Sequence, residues 1–374
     1  MITGRFALPI SAGSAPEPPP STVGNRVTYY DPFGDVIKIQ YVLDGEDATP
    51  PTPPTFDLLT FAEWNNPSTN ITYDRDIGAI YDTTDGKTYV FATFNNVIGL
   101  QPTLVFDKST TDLLTIDWGD GETSTSSGNG GVAILKTTSY TSSGNYIITI
   151  ECNGFYRLGS YLNFFGSGTY LSAPYKIYFG ANINVTNAGI GNHQIEKITL
   201  NSGLTGNINT NFAYANARIV SLNFPSGLTG SILGGIFQND YSIRKIIFPS
   251  EMNGVISFSS SFQNCFSLES TILPNGLTGS IGGSLFSTAR SLRSALIPIG
   301  ITSLGSGCFA NNTSMNEYIF QSIIPPTMSN INVFSSIPAF TKIYVPDESI
   351  DDYKTATNWV SYADYIYPIS TRII

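Results

Sequence analysis

Few residues in this sequence could make or break covalent bonds. His193 is the only histidine, so neither a Ser-His-Asp triad nor a metal site with several histidine ligands can be built. A lone histidine before a strand is more often a hydrogen-bonded surface residue than a ligand. Cys152 has no visible base to activate it as a nucleophile. The sequence therefore predicts a protein that is not an enzyme and has no cofactor.

Clustered acidic residues are the other candidates for chemistry. The segment DWGDGE holds Asp117, Asp120 and Glu122, and carboxylates so close together suit a calcium ion. Their spacing does not match a calcium-binding loop, so we favour a structural turn in which Asp120 accepts backbone hydrogen bonds. The segment DESIDD (347–352) is typical of a helix N-terminus rather than of a catalytic pair.

A glycosidase would need two carboxylates held across a cleft. The acidic residues of the C-terminal half do not recur at a common position that would line one groove. They are Glu196, Asp240, Glu251, Glu269 and Glu317. A carbohydrate-active enzyme is therefore the least favoured of our functional hypotheses.

The composition narrows the class of protein. Charged residues make up 12% and aromatic residues 13% of the 374 residues, and the net charge is −10. This mixture suits β-structure, and the acidity argues against nucleic acid or an anionic membrane as a partner. No apolar run approaches the length of a transmembrane helix. The three cysteines, an odd and sparse number, are expected to be small buried residues without disulfides: Cys152, Cys265 and Cys308.

An internal repeat is the dominant pattern of the C-terminal half. Six-residue apolar runs begin at Ile195, Ile219, Ile243, Leu268, Leu292, Met315 and Phe340, which are 23 to 25 residues apart. A phenylalanine precedes each of the last six runs by six or seven residues: Phe212, Phe237, Phe262, Phe286, Phe309 and Phe334. The repeated FPSGLTGSI and LPNGLTGSI stretches lack the lysine of a phosphate loop, so we interpret them as structural corners. The period predicts a right-handed solenoid with these phenylalanines buried in a column.

Within each run, the alternation of side chains predicts which residues face outward. Position three is polar in every run, and position five is polar in the first two, at Thr199 and Asn223. Position five then becomes apolar, and stacking would align its residues in a ladder: Ile247, Ile272, Leu296, Ile319 and Tyr344. The ladder is either ordinary β-sheet composition or a candidate binding surface, since contiguous exposed apolar residues usually contact a partner.

Residues 25–82 alternate like strands and resemble the internalin B-repeat family, a β-grasp-like module of bacterial surface proteins. The matching residues are Val42, Gly45, Ala48, Pro51, Pro54, Phe61, Trp64, Ala79 and Tyr81. Leu58 stands where that family usually has glycine.

Residues 83–155 resemble a PKD domain, an immunoglobulin-like β-sandwich. Its matching residues are Trp118, Gly119, Asp120, Gly121, Tyr140, Gly144 and Tyr146, and Thr138 replaces the family's histidine.

The repeat array, residues 195–345, resembles the BspA-type leucine-rich repeats in its FQNCFSLESTILP form. Residues 156–194 would be an irregular N-terminal cap of the solenoid. Residues 346–374 would be its C-terminal cap, with a short helix from about Ser349 and a cluster of Tyr, Trp and Ile. The expected fold class is therefore mainly β: a β-grasp-like module, a PKD-like sandwich and a capped solenoid.

Residues 1–24 form a Pro-rich tail that is too short to bury a core of its own. We expect it to dock on another protein, through the segment RFALPI, on a groove or sheet edge. The candidate docking residues are Arg5, Phe6, Leu8 and Ile10.

All three resemblances are to display and binding modules, and the first thirteen residues lack the long apolar core of a secretory leader. We therefore expect a virion protein of a bacteriophage, a fibre, spike or decoration protein that needs no leader. Its partners would be other virion proteins, bound through residues 1–24, and a bacterial surface receptor or glycan. The sequence does not decide whether the chain also forms a homo-oligomer. The alternative is a bacterial cell-surface adhesin whose leader is missing from this sequence.

Overall fold

The computed structural model describes residues 24–94, 103–108, 111–128, 130–154, 156–158, 173–181, 195–208, 218–232, 236–256 and 259–372. Within these residues the strands form five sheets, and the one α-helix is short. The prediction of a mainly β chain is confirmed. In the described part of the chain, no helix is long and apolar enough to cross a membrane.

The first sheet forms an N-terminal module, residues 25–83. Its strands are β1 (Asn25–Tyr30), β2 (Val36–Val42), β3 (Leu59–Trp64) and β4 (Arg75–Thr83). They lie in the order β2-β1-β4-β3, and the central pair, β1 and β4, is parallel. Val27 and Tyr29 are fully buried in a small core of their own. Leu58 adopts a left-handed φ of 66°, so the turn before β3 forms despite a Cβ cost of about 1 kcal/mol.

The next two sheets share one core. Their strands are β5 (Thr88–Phe94), β6 (Thr103–Lys108), β7 (Leu114–Asp117), β8 (Thr123–Ser126), β9 (Gly130–Leu135), β10 (Gly144–Cys152) and β11 (Tyr156–Leu158). One sheet contains β5, β10, β7 and β8, and the other has the order β11-β6-β9. Val90 and Ile148 of the sheet that contains β5 belong to the same buried cluster as Phe106 of the sheet that contains β6. The Tyr140 hydroxyl donates to the Trp118 carbonyl at 2.8 Å, which fixes the turn after β7.

The larger of these sheets continues into the repeat array. Strands β12 (Ala173–Tyr178) and β13 (Lys197–Thr199) extend it to the order β13-β12-β5-β10-β7-β8. Strand β12 is antiparallel to β5 and parallel to β13. The boundary that we expected between residues 155 and 156 is therefore crossed by a continuous sheet.

The array itself contains two parallel sheets. Its strands are β14 (Ser221–Asn223), β15 (Lys245–Ile247), β16 (Val255–Ile256), β17 (Ser270–Ile272), β18 (Thr278–Ile281), β19 (Ser294–Ile297), β20 (Gly300–Leu304), β21 (Glu317–Phe320), β22 (Thr327–Met328), β23 (Lys342–Val345) and β24 (Ile366–Pro368). The main sheet has the order β14-β15-β17-β19-β21-β23-β24, and the second has the order β16-β18-β20-β22. Each of the seven predicted runs contains a strand, so this prediction is confirmed.

Glycines let successive coils of the array approach closely. A Cβ atom added to Gly276 would lie 2.6 Å from the carbonyl oxygen of Met252, and one added to Gly300 would lie 2.7 Å from that of Leu277. Those distances are shorter than any van der Waals contact. The glycine-rich stretch is thus a corner between the two parallel sheets, with part of it in β18.

The predicted phenylalanine column fills the interior. Consecutive rings from Phe237 to Phe334 lie 5.0 to 6.0 Å apart and nearly parallel, and each ring is at most 1% exposed. Phe212 lies outside the described residues. Two positions after each phenylalanine the backbone is left-handed, at Asn239, Asn264, Thr288, Asn311 and Ser336. Asparagine, which occupies three of the five positions, is among the non-glycine residues that adopt this conformation most readily.

The C-terminal cap closes the array. It consists of a 3-10 helix (Asp347–Ser349), α1 (Ile350–Thr355), a second 3-10 helix (Trp359–Tyr365), β24 and a last 3-10 helix (Ile369–Thr371). Another 3-10 helix, Ile331–Phe334, lies in the last repeat. The Trp359 indole donates to the Pro326 carbonyl at 2.7 Å, and the Tyr353 hydroxyl to the Ser322 carbonyl at 2.8 Å. The predicted helix start in DESIDD agrees with α1, whose first turn carries Asp351 and Asp352.

Candidate functional site

The five apolar residues at position five form a ladder on the outward face of the main sheet, here called the strand face. Parallel pairing aligns these residues on neighbouring strands. Their order across the sheet is Ile247, Ile272, Leu296, Ile319 and Tyr344. Adjacent strands lie about 4.8 Å apart. The ladder therefore crosses five coils.

Most of this ladder is covered by the protein itself. Ile247, Ile319 and Tyr344 are 2%, 7% and 4% exposed, whereas Ile272 and Leu296 are half-buried. The expectation of a solvent-exposed surface is thus wrong for three of the five residues. Covering them removes apolar area from water, which stabilises the contact between distant parts of the chain.

The N-terminal module covers the first end of the strand face. The Asn65 side-chain amide donates to the carbonyls of Phe224 and Ile247 at 2.9 and 3.3 Å. The neighbouring Asn66 amide donates to the Phe248 carbonyl at 3.0 Å. Both asparagines are nearly inaccessible to solvent, so these bonds satisfy buried carbonyls at the ends of β14 and β15.

Polar residues of the array also form hydrogen bonds with the N-terminal module. The Asn223 amide donates to the carbonyls of Asp31 and Ala79 at 2.9 and 3.1 Å. Asp82 accepts from the backbone and the hydroxyl of Ser202, each at 2.7 Å. Thr199 and Asn223 are the polar residues that interrupt the apolar pattern at position five. That interruption is the sequence signal that could have located this contact.

A buried ion pair joins the module to the array. Lys245 forms a salt bridge with Asp76, and their side chains are only 11% and 7% exposed. The same ammonium donates to the Ser270 hydroxyl at 2.7 Å and lies 5.1 Å from the centre of the Tyr30 ring. Charge-assisted hydrogen bonds shielded from water are strong and geometrically specific, so they fix how the module sits on the strand face.

The last residues of the C-terminal cap cover the other end of the strand face. Arg372 binds Glu317 through two parallel hydrogen bonds of 2.9 and 2.8 Å. The hydrogen bonds that Arg372 donates to the Glu317 carboxylate raise the pKa of its guanidinium. Strand β24 pairs with β23, which brings Tyr367 beside Tyr344 with 6.4 Å between ring centres.

Between these two covers lies a cleft of about 320 Å³, here called the strand-face cleft. The apolar part of its floor includes Ile272, Leu296 and Ile319, and Ser270 and Ser294 of the same strands also line it. Its rim is polar and includes Asn25, Arg26, Tyr73, Asp74, Gln321 and Arg372. An apolar floor with a polar rim is suited to holding an amphiphilic group, because the floor buries apolar area while the rim orients the group.

The acidic DWGDGE segment has a structural role. Lys136, whose side chain is fully buried, lies 2.9 Å from the Asp120 carboxylate and 2.7 Å from that of Glu122. Asp120 also accepts a backbone hydrogen bond from Glu122, as the turn interpretation requires. Burial would raise the pKa of Glu122, but hydrogen bonds from Lys136 and the threonines that follow it lower the pKa overall. An internal ammonium thus neutralises the carboxylates that a calcium ion would need.

The remaining candidate residues are not assembled into a site. Cys152, Cys265 and Cys308 are buried and form no disulfide, as predicted. His193 and the candidate docking residues lie outside the described residues, and these are Arg5, Phe6, Leu8 and Ile10. Among the array's acids, Asp240 is fully buried, and burial raises its pKa to about 7.

Comparison with known proteins agrees with the geometry of the array. The model of the BspA type leucine rich repeat region matches residues 184–259 and 237–356, in six copies. No curated protein matches the chain. The matched residues include the stacked phenylalanines and all strands of the two parallel sheets except β24. Residues 184–356 of this chain are therefore similar to the BspA-type leucine-rich repeats.

Proposed function

We propose that this chain is a non-enzymatic structural and adhesion protein of a bacteriophage particle, a fibre, spike or decoration protein. BspA-type repeats suggest a surface or adhesion-type protein. The observation that carries the proposal is the continuous core, which runs from Val90 through the phenylalanine column to Ile366. A body with one uninterrupted core is stiff enough to project a binding surface from an attachment point.

In this proposal, residues 1–24 attach the chain to another particle protein. The described chain begins beside the N-terminal module, at the opposite end of the sequence from the solenoid cap. The solenoid would then be presented to a bacterial surface receptor or glycan, with the strand-face cleft as a candidate contact. No catalytic step is assigned to any residue.

The test is incorporation into particles. Deleting residues 2–24 should abolish incorporation while leaving a folded, soluble protein, as judged by circular dichroism and by quantifying the chain in purified particles. Incorporation of the truncated chain at the native level would remove the docking role from these residues. Loss of the folded state would place them in the core of the module.

The second candidate is a bacterial cell-surface adhesin, which the same repeats favour. Localisation separates the two proposals. Antibodies against the chain should decorate purified particles, and not the envelope of uninfected cells, if the chain is a virion protein. The opposite labelling would establish the adhesin. Release of reducing sugars from host surface polysaccharide, lost on substitution of a single carboxylate, would overturn both in favour of an enzyme.

A further inference from the structure

The strand-face cleft has an apolar floor that the described residues cover only in part. Ile272 and Leu296 are half-buried there, between the N-terminal module and Arg372. We propose that the cleft binds the chain's own segment Phe6–Ile10, in the same molecule. This goes beyond the proposed function, because it concerns the free chain before any partner is met.

The first support is where the described chain begins. Asn25 and Arg26, its second and third residues, line the rim of the cleft. The described chain therefore begins at the mouth of the cleft. Residues 11–24 separate the apolar segment from this point, and fourteen residues can span at most about 50 Å. The floor is well within that reach.

The second support is chemical complementarity. Phe6, Leu8 and Ile10 alternate along the sequence, so an extended segment would place all three on one face. That face matches the aliphatic floor. Arg5 would enter the rim beside Asp74, whose carboxylate accepts a hydrogen bond from the Arg26 backbone at 2.8 Å. Arg26 and Arg372 also lie on the rim, so the charge-assisted contact would be made with the Asp74 carboxylate alone.

Two other occupants have to be weighed. A second copy of the chain could supply the same segment, but a tether of this length gives an effective concentration on the order of 1 mM. This effective concentration exceeds the ordinary concentration of a second copy of the chain, so the intramolecular contact is favoured over the intermolecular one. Ile373 and Ile374 follow Arg372 directly, but they carry no charged side chain for the rim and only two apolar ones for the floor.

The test measures access to the cleft in the full-length chain. Ser294 lines the cleft, and Ser294→Cys places a thiol there, while the three native thiols are buried. With an intrinsic Kd near 0.1 mM, the tethered segment would be bound about 90% of the time and would slow labelling by a maleimide about tenfold. Adding Phe6→Asp and Leu8→Asp should therefore accelerate labelling about tenfold.

The matched control is Thr313→Cys, an exposed position on another side of the solenoid, whose labelling rate should not change. An unchanged rate at Ser294→Cys overturns the proposal. So does acceleration by Ile373→Asp with Ile374→Asp but not by the N-terminal substitutions, because the C-terminus would then be the occupant.

A crosslink distinguishes one molecule from two. Leu8→Cys combined with Ser294→Cys should form an intramolecular disulfide on mild oxidation, seen as a monomer with altered mobility on a non-reducing gel. A disulfide-linked dimer would assign the cleft to a second copy and overturn the intramolecular contact. None of these measurements uses particles, so failure here leaves the proposed function untouched, and failure of particle incorporation leaves this contact untouched.

Discussion

Asp240 is a carboxyl group placed where a charge is costly. It is fully buried, one oxygen accepts from the backbone of Ser242 and Ile243, and the other oxygen has no hydrogen-bond partner. Burial raises its pKa from 3.8 to about 7. Between these values the folded chain holds a proton that the unfolded chain has released, so stability falls as the pH rises from about 4 to about 7.

Asp240→Asn should remove this pH dependence. A shift of about three pKa units corresponds to at most about 4 kcal/mol, so we expect a gain of about 2–4 kcal/mol in the free energy of unfolding at pH 8 and almost none at pH 4. Urea unfolding at both pH values measures it. The matched control is Asn312→Asp, at the equivalent buried position three repeats later, which should introduce the same dependence. Equal pH profiles for native and Asp240→Asn proteins would contradict the prediction.

Lys136 is the second residue whose charge is internal. Lys136→Met would leave the Asp120 and Glu122 carboxylates without their ammonium and should cost about 3–5 kcal/mol at pH 7. The pKa of Glu122 is lowered in the folded state, so its stabilising contribution is complete above the unfolded pKa and is lost as the pH falls through the folded one. The deficit of the variant should therefore shrink in acid.

The surface ion pair of Lys87 with Glu151 provides the comparison for Lys136. Its atoms are 3.1 Å apart, but the side chains are 34% and 55% exposed, so Lys87→Met should cost less than about 1 kcal/mol. Chemical denaturation of both variants at pH 7 checks the contrast. Similar losses for the two lysines would mean that burial does not decide the strength of these pairs.

At the scale of the element, the corner glycines set how closely the coils stack. Gly276→Ala would place a methyl group 2.6 Å from the Met252 carbonyl oxygen, so the coils must separate locally. We expect a loss of about 1–3 kcal/mol, the usual cost of overpacking, measured by thermal unfolding. Gly131→Ala is the control, since nothing lies within 4 Å of its Cβ position. A Gly276→Ala protein as stable as the control would show that the corner yields without strain.

At the scale of the whole molecule, the contact between the N-terminal module and the array depends on a few buried amides. Asn65→Ala with Asn66→Ala would leave the carbonyls of Phe224 and Phe248 without these donors, whereas the Ile247 carbonyl still accepts from the Phe224 backbone at 2.9 Å. The contact should weaken by at least about 2 kcal/mol, because buried carbonyls without donors are costly. Hydrogen exchange in β14 and β15 should then accelerate. Gln40→Ala, which loses a bond only within the module, should leave the exchange unchanged.

The repeat array was predictable because its information is local. Each coil contains its own strand, corner and phenylalanine, so a period of 23 to 25 residues is enough to place the strands and the stacked column. The cap was predictable for the same reason, since DESIDD and the following aromatic residues are contiguous. The same locality explains why Asp120 and its neighbours were correctly interpreted as a turn.

The strand-face cleft was decided only by the tertiary structure. The sequence predicted that Ile247 and Tyr344 belong to one ladder, but their burial depends on Asn65, which is 159 and 182 residues from its two acceptors, and on Arg372, which is 55 residues from Glu317. No periodic pattern encodes contacts between such distant segments. What the sequence determined by itself was the direction in which each side chain points, because strand alternation is local. Whether that face meets water, another module or a cleft depends on the packing of the whole chain.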